Sequence, residues 1–272
     1  MLNIGWFSTG RDAAAGQLLE TVLRRIKSGV IQGRVIFVFS SRGPGESAES
    51  DLFFDLVARH RIPLITFSYE QFKNQHQAAG APQAPGWPQW RNEYDREVMK
   101  KLEGLDPDLC VLAGYMLIVG PEMCSRYTML NLHPAVPGGP TGTWQEVIWQ
   151  LIQNRASRAG AMMHLVTPQL DKGPPVTYCS FTIRGKPFAD AWTEVRGRST
   201  SDIKRTDGEN NRLFRLIREH ELAREFPLIV MTLKAFADGR VMLRDGRVLD
   251  ERGRPAGPRD LTEDIERSLR PS

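Results

Sequence analysis

The chain has 272 residues, of which 41% are hydrophobic and 25% are charged, a composition typical of a folded globular protein and not of a disordered one. The formal charge of +4 comes from 36 basic and 32 acidic residues, so the net charge alone does not indicate a polyanionic partner. Three widely spaced cysteines argue against both a disulfide framework and a metal cluster.

Strand-like apolar runs alternate with helix-like periods through the N-terminal part of the chain. Residues 2–7 are the first such run, and residues 13–27 follow with apolar side chains at helical spacing. The same alternation predicts strands over residues 33–40 and 62–67, helices over 47–60 and 90–105, and a surface loop over the Gln-, Ala-, Pro- and Gly-rich residues 76–86. Alternation of this kind predicts a parallel sheet covered by helices.

The pattern changes in the C-terminal third of the chain. Residues 176–183 resemble a further strand, and residues 212–234 resume a helical period. Residues 236–248 predict a short hairpin that turns at Asp245-Gly246, with a charged tail after it. The polar residues 185–211 lie between that strand and that helix. They have two interpretations, a lid or acceptor-recognition loop and a solvated surface loop.

An amide, an imidazole and a carboxylate are spaced so that the fold can bring them together. Asn131 and His133 follow an apolar run, and Pro134 prevents a helix from continuing there, so we expect both at a strand end, where open α/β sheets bind ligands. Asp171 follows in a turn-forming segment that ends at Gly173. Together these three side-chain types can transfer a proton and stabilise developing negative charge. Each residue alone is also consistent with a cap or turn former.

Several motifs occur in a fixed order along the chain. They are Tyr94-Asp95-Arg96-Glu97, Pro107-Asp108, Leu112-Ala113-Gly114-Tyr115-Met116, Asn131-Leu132-His133-Pro134, His164-Leu165-Val166-Thr167, Leu170-Asp171-Lys172-Gly173-Pro174, Glu219-His220-Glu221 and Phe226-Pro227. In this order they resemble the folate-dependent formyltransferase family, with a layout most similar to its phosphoribosylglycinamide formyltransferases. The resemblance implies a doubly wound, mostly parallel α/β sheet with helices on both faces. It also implies a catalytic domain over residues 1–243, followed by a C-terminal extension over residues 244–272.

The resemblance also assigns roles to residues. Asn131, His133 and Asp171 match the family's catalytic positions. The formyl donor is then 10-formyltetrahydrofolate, and the resemblance implies that its pterin pocket is lined by Leu112, Met116, Leu117, Ile118, Val119, Gln169, Leu170 and Gly173. No metal is implied, and no histidine pair has the spacing of a metal site. His164 occupies one of the family's usual positions and either shapes the site or is a satisfied buried histidine.

The chain departs from the family at its N-terminal turn. Where the glycinamide ribonucleotide enzymes usually carry a Gly-Asn-Gly-Ser-Asn loop that holds phosphate, this chain has Ser8, Thr9, Gly10, Arg11 and Asp12. We predict that these five residues bind the substrate, because a strand-to-helix turn with an arginine suits a phosphate. The alternative is that Asp12 only caps the following helix and that the acceptor is different.

The function implied by the resemblance is formyl transfer from 10-formyltetrahydrofolate to the amine of glycinamide ribonucleotide, in purine synthesis. The expected partner is a small, phosphorylated amine, with neither a membrane nor a nucleic acid, and the expected assembly is a monomer or homodimer. The alternatives are an N-formyltransferase for another small amine, such as a nucleotide-linked amino sugar, and a non-catalytic folate-binding protein. A methionyl-tRNA formyltransferase ranks lower, because the segment after Val248 is too short for an RNA-binding domain. The N-terminus lacks a signal-peptide pattern, so we expect a cytoplasmic protein.

Overall fold

The computed structural model describes residues 1–78 and 89–270. The strands are β1 (Leu2–Phe7), β2 (Gly33–Ser40), β3 (Leu64–Thr66), β4 (Leu109–Leu112), β5 (Met129–His133), β6 (Arg158–Leu165), β7 (Pro175–Thr182), β8 (Val241–Arg244), β9 (Arg247–Asp250) and β10 (Arg259–Asp260). The helices are α1 (Ala13–Lys27), α2 (Ala48–Arg59), α3 (Tyr69–Ala78), α4 (Gln89–Lys101), α5 (Pro121–Arg126), α6 (Trp144–Gln153), α7 (Ala189–Glu194), α8 (Thr200–Thr206), α9 (Arg212–Ala237) and α10 (Thr262–Leu269).

The central sheet has the strand order β10-β7-β6-β5-β4-β1-β2-β3. β6 runs antiparallel to both of its neighbours, and the other neighbouring pairs are parallel. The prediction of a doubly wound, mostly parallel sheet is therefore confirmed. The strand order reverses at β1, which lies between β2 and β4, and ligands bind beyond the carboxyl ends of strands at such a switch point.

Both faces of the sheet are covered, and this explains why its central strands are mainly apolar on both faces. In β1, Ile4 and Trp6 pack with helices α1, α2 and α9 on one face, whereas Phe7 packs with α4 and α5 on the other. In β4, Val111 packs on the first of these faces and Cys110 on the second. Successive side chains of a strand point to opposite faces, so a strand buried on both sides reads as an unbroken apolar run.

The C-terminal segment packs onto the same fold. β8 and β9 form the predicted hairpin, and its turn is at Asp245-Gly246, where both residues have positive φ as a type I′ turn requires. β10 adds a parallel edge strand to β7, and Ile265 of α10 is buried in the core. The extension thus shares the core of the preceding residues, and the division between residues 243 and 244 stays a prediction.

The polar insertion over residues 185–211 folds into α7 and α8. Phe188, Ala191, Val195 and Ile203 are buried against α6 and α9, so the segment is a compact helical layer with an apolar inner side. The loop predicted over residues 76–86 begins inside α3, and residues 79–86 lie outside the described part of the chain. No helix within the described residues is long and apolar enough to span a membrane.

Candidate active site

Two neighbouring strand ends bring the predicted catalytic residues together. Asn131 and His133 lie at the carboxyl end of β5, and the antiparallel pairing with β6 places His164 opposite Asn131. The turn between β6 and β7 carries Asp171 back over this edge. Its carboxylate Oδ1 lies 3.7 Å from Nδ1 of His133 and 3.7 Å from Nε2 of His164. Both imidazoles are almost completely buried.

The hydrogen bonds indicate which ring nitrogen of each imidazole carries a proton. Because a carbonyl oxygen can only accept, Nε2 of His133 donates to the carbonyl of Pro140 at 2.9 Å, and Nδ1 of His164 donates to its neighbour's carbonyl at 3.0 Å. Nε2 of His164 therefore accepts from the Asn131 amide at 3.1 Å. Nδ1 of His133 is left as a basic nitrogen facing Asp171.

A strained turn holds the Asp171 carboxylate in place. Asp171 has φ of 54°, in the left-handed region that Asp tolerates better than most residues. Its Oδ2 accepts the backbone N–H of Gly142 at 3.1 Å. Gly173 closes the turn so tightly that a Cβ there would lie 1.6 Å from the carbonyl oxygen of Leu165. The turn therefore requires glycine at this position.

The surroundings tune both titrating groups. Burial lowers the pKa of His133, against the opposing effects of the Pro140 carbonyl and the Asp171 charge. Burial acts to raise the pKa of Asp171, but contact with His164, the Gly142 N–H and the charge of His133 together bring that pKa below its ordinary value. At neutral pH the site thus holds an ionised carboxylate beside a neutral, basic imidazole.

We expect His133 to titrate below the ordinary histidine pKa of 6.5. Its NMR-detected pKa in the free protein should therefore lie under 6.5, and it should fall further in Asp171→Asn, which removes a charge that raises it. The signal is assigned by its loss in His133→Gln. Since the unfolded chain binds this proton more readily, stability should decrease as the pH falls through about 6.5. A pKa above 6.5 in the wild-type protein would contradict the burial argument.

A cavity of about 420 Å³ opens over these residues. One wall is apolar, and its lining residues include Leu112, Met116, Leu117, Ile118, Val119, Val166 and Leu170. Of the predicted donor-pocket residues, Gln169 and Gly173 do not line the cavity and instead belong to the turn that carries Asp171. Met116 and Leu170 are large apolar side chains of this wall that stay exposed.

A buried carboxylate from α4 supports the apolar wall. Oδ2 of Asp95 accepts the backbone N–H of Gly120 at 2.6 Å, and its Oδ1 lies 3.2 Å from the Arg91 guanidinium. Arg91 also donates to the carbonyl of Ile118. The Arg91–Asp95 ion pair thus fixes the backbone at Ile118 and Gly120, at the end of the apolar wall. This contact links the Tyr94-Asp95-Arg96-Glu97 motif of α4 to the cavity, although the motif does not line it.

We expect Asp95→Asn to lower the free energy of unfolding by about 3 kcal/mol, because it breaks a buried ion pair. The same change should weaken tetrahydrofolate binding through the loosened wall. Thermal unfolding and ligand titration measure the two effects. Glu122→Gln, which disrupts an exposed pair with Arg96 in the same region, is the matched control and should leave the unfolding midpoint unchanged. Equal behaviour of the two variants would show that Asp95 has no supporting role.

The first two residues of the N-terminal turn, Ser8 and Thr9, are buried in the protein and do not line the cavity. Oγ of Ser8 accepts the N–H of Gly10, and Oγ1 of Thr9 accepts the N–H of Met116. Gly10 has φ of 63° and packs against α2. Only Arg11 and Asp12 of the five predicted substrate-binding residues line the cavity, and Asp12 also caps α1 through Ala15. The prediction of an acceptor site at this turn therefore rests on Arg11 and Asp12.

Three side chains that line the cavity were not predicted from the sequence: Trp144, Arg218 and Glu225. Arg218 and Glu225 of α9 line it, joined by an ion pair of 2.7 Å, and the Arg218 guanidinium stacks over Trp144 at 4.6 Å. Arg218 and Glu225 are seven residues apart, which places them on one face of α9, and the sequence alone could have shown that they are neighbours. Nothing local to α9, however, indicates that this face borders the cavity. Among the described residues, no group of three or more His, Cys, Asp or Glu is placed to hold a metal ion.

Comparison with known proteins gives a consistent result. The family described as "Formyl transferase" matches residues 13–187. A phosphoribosylglycinamide formyltransferase from Schizosaccharomyces pombe is 27% identical over 173 residues, which cover 60% of this chain and 76% of that protein. A formyltetrahydrofolate deformylase from Haemophilus influenzae is 27% identical over 122 residues, covering 44% of this chain and 37% of that protein.

A solved phosphoribosylglycinamide formyltransferase from Coxiella burnetii has the same fold. Its TM-score is 0.67 at 20% identity, with 95% of this chain and 98% of that chain covered. The chain belongs to the formyl transferase family. The prediction of a folate-dependent formyltransferase is thereby confirmed, whereas the roles of individual site residues stay predictions.

Proposed function

We propose that the protein transfers the formyl group of 10-formyltetrahydrofolate to the amine of glycinamide ribonucleotide. The observation that carries the proposal is that Asn131, His133 and Asp171 line one cavity together with an apolar wall and with the arginines Arg11 and Arg218. The apolar wall suits a pterin ring. Arg11 and Arg218 also line the cavity; Arg218 is paired with Glu225, so Arg11 is the guanidinium group that we assign to a phosphate ester. The names of the relatives found by sequence support the same reaction.

In the proposed reaction, each of the three side chains has one role that its hydrogen bonds support. The acceptor amine attacks the formyl carbon, and the Asn131 amide stabilises the oxygen of the tetrahedral intermediate as its negative charge develops. Nδ1 of His133 takes the proton that the amine loses, and Asp171 stabilises the resulting imidazolium. The bond between the formyl carbon and N10 of the donor then breaks, and the proton passes to N10 as tetrahydrofolate leaves.

Two other acceptors have an observation in their favour. The burial of Ser8 and Thr9, with the Asp12 carboxylate at the cavity, favours an amine carried by a different group, such as a nucleotide-linked amino sugar. The match to formyltetrahydrofolate deformylases favours water as the acceptor, with formate as the product. Each alternative uses the same donor and the same three side chains, so only the acceptor distinguishes them.

The deciding experiment measures tetrahydrofolate release from 10-formyltetrahydrofolate with glycinamide ribonucleotide, with a panel of nucleotide-linked amino sugars, and with no acceptor. Tetrahydrofolate release that requires glycinamide ribonucleotide, with formylated product detected by mass spectrometry, is the expected result. Turnover that depends on another amine would identify the first alternative. Equal turnover without an acceptor, with formate released, would identify a hydrolase.

Arg11→Ala tests the acceptor end of the site. We expect the KM for glycinamide ribonucleotide to rise at least 10-fold with a smaller change in kcat, because Arg11 contacts the bound phosphate in this proposal and not the reacting atoms. Arg24→Ala is the matched control, since Arg24 is an exposed arginine near the C-terminal end of α1, the helix that begins just after Arg11, and it does not line the cavity. If both variants keep the wild-type KM, the phosphate lies elsewhere.

A further inference from the structure

A second cavity lies at the helical insertion formed by α7 and α8. It has a volume of about 330 Å³ and opens between the C-terminal end of α6, α7 and the start of α8. Buried Ile152, Val195 and Ile203 are among its lining residues. None of the residues that line it also lines the candidate active site, so the two cavities are separate.

Four arginines converge on this cavity, and no acidic residue lines it. Arg198 is neutralised by Asp207 at 2.9 Å. Within the described residues, no ion pair involves Arg155, Arg184 or Arg196. Guanidinium groups that share a cavity repel one another, and a bound anion removes that repulsion.

The backbone brings these arginines together from separate segments. Arg155 follows α6 and its C-cap Asn154, and its backbone is in the left-handed region with φ of 46°. Arg184 follows β7, donates to the carbonyl oxygen of Arg155 and stacks on Trp192 at 4.1 Å. Arg196 follows α7 and is separated from Arg198 by Gly197, whose φ of 78° turns the chain toward α8. The cationic surface is therefore built by tertiary structure, and the side chains of Arg184 and Arg198 are held in place by contacts within the protein.

We propose that this cavity binds the di- or triphosphate group of a small molecule. Guanidinium groups bind phosphate oxygens in pairs, and the hydroxyls of Ser199 and Thr200 add neutral donors at the same cavity. The oxygens of a phosphate chain are spread over a greater length than those of a single phosphate, so a chain can contact three separate arginines at once. The cavity is a compact pocket and not an extended basic stripe, and Glu194 and Asp202 flank it on α7 and α8, so a long nucleic acid is disfavoured.

Isothermal titration calorimetry with pyrophosphate and tripolyphosphate tests the proposal at constant ionic strength. We expect binding with one site per chain, and a Kd at least 10-fold higher in the double variant Arg155→Ala/Arg196→Ala. The matched control is Arg205→Ala/Arg267→Ala, which removes the same charge from two exposed arginines outside the cavity and should keep the wild-type Kd. Thermal unfolding of both double variants confirms that each is folded.

Four results would overturn the proposal. Absence of binding by the wild-type protein shows that the cavity takes no phosphate chain, and equal weakening in both double variants shows only an effect of net charge. Loss of binding in Arg11→Ala alone places the anion in the candidate active site. Tighter binding of a single-stranded RNA 20-mer, lost in Arg155→Ala/Arg196→Ala, assigns the surface to a nucleic acid.

Discussion

His133→Ala is expected to lower kcat for formyl transfer by about 100- to 1000-fold, the range typical of losing a general base. The physical reason is that His133 supplies the basic Nδ1 beside Asp171, while alanine leaves the amine without a proton acceptor. Steady-state kinetics with 10-formyltetrahydrofolate and the proposed acceptor, glycinamide ribonucleotide, measure the effect. Donor affinity should change little, because the apolar wall is formed by other residues.

A second histidine provides the control for this variant. His60 is exposed at the C-terminal end of α2, so His60→Ala should keep the wild-type kcat. Asn131→Ala should fall in the same range as His133→Ala, since it removes the donor to the developing oxyanion. A His133→Ala protein that is folded and retains more than about a tenth of the wild-type kcat is incompatible with the proton-transfer role.

Gly173→Ala is expected to destabilise the protein by about 3 kcal/mol or more and to reduce activity as well. The added Cβ would lie 1.6 Å from the Leu165 carbonyl oxygen, so the backbone of the turn has to move. The same turn carries Asp171, whose carboxylate faces both imidazoles, and its displacement should lower kcat. Urea unfolding and steady-state kinetics measure the two consequences.

Gly257→Ala is the matched control, because nothing lies within 4 Å of a Cβ at that exposed glycine. It should leave both stability and activity unchanged. A Gly173→Ala protein with wild-type stability would mean that the turn is looser than its geometry indicates. A loss of stability with unchanged kcat would show that the turn stabilises the fold but that its exact geometry does not control the position of Asp171.

The features predicted best from sequence are those encoded by neighbouring residues. Strands buried on both faces, such as β1 and β4, are continuous apolar runs, and helices between them show their own period. The hairpin turn at Asp245-Gly246 is equally local, because both positions need positive φ. Asn131 and His133 were placed at a strand end because Pro134 prevents a helix from continuing there.

Contacts between distant segments could not be predicted in this way. The sequence gives β6 no sign of its reversed direction, because the alternation of side chains is the same in either direction. It is that reversal which sets His164 opposite Asn131. Thr9 looked like a substrate ligand by its place in the turn, but its hydroxyl holds the Met116 backbone, more than a hundred residues away.

The sequence by itself determined the α/β alternation, the apolar character of one wall of the cavity and the chemical types of the three predicted catalytic side chains. Only the tertiary structure decided which groups surround them: the Asp171 carboxylate near two imidazoles, and Arg218 and Glu225 in the same cavity. It also gathered the arginines of the second cavity from separate segments. The physical reason is that periodicity and turn chemistry act over a few residues, whereas distances, burial and the resulting pKa values depend on chain segments that meet only after packing.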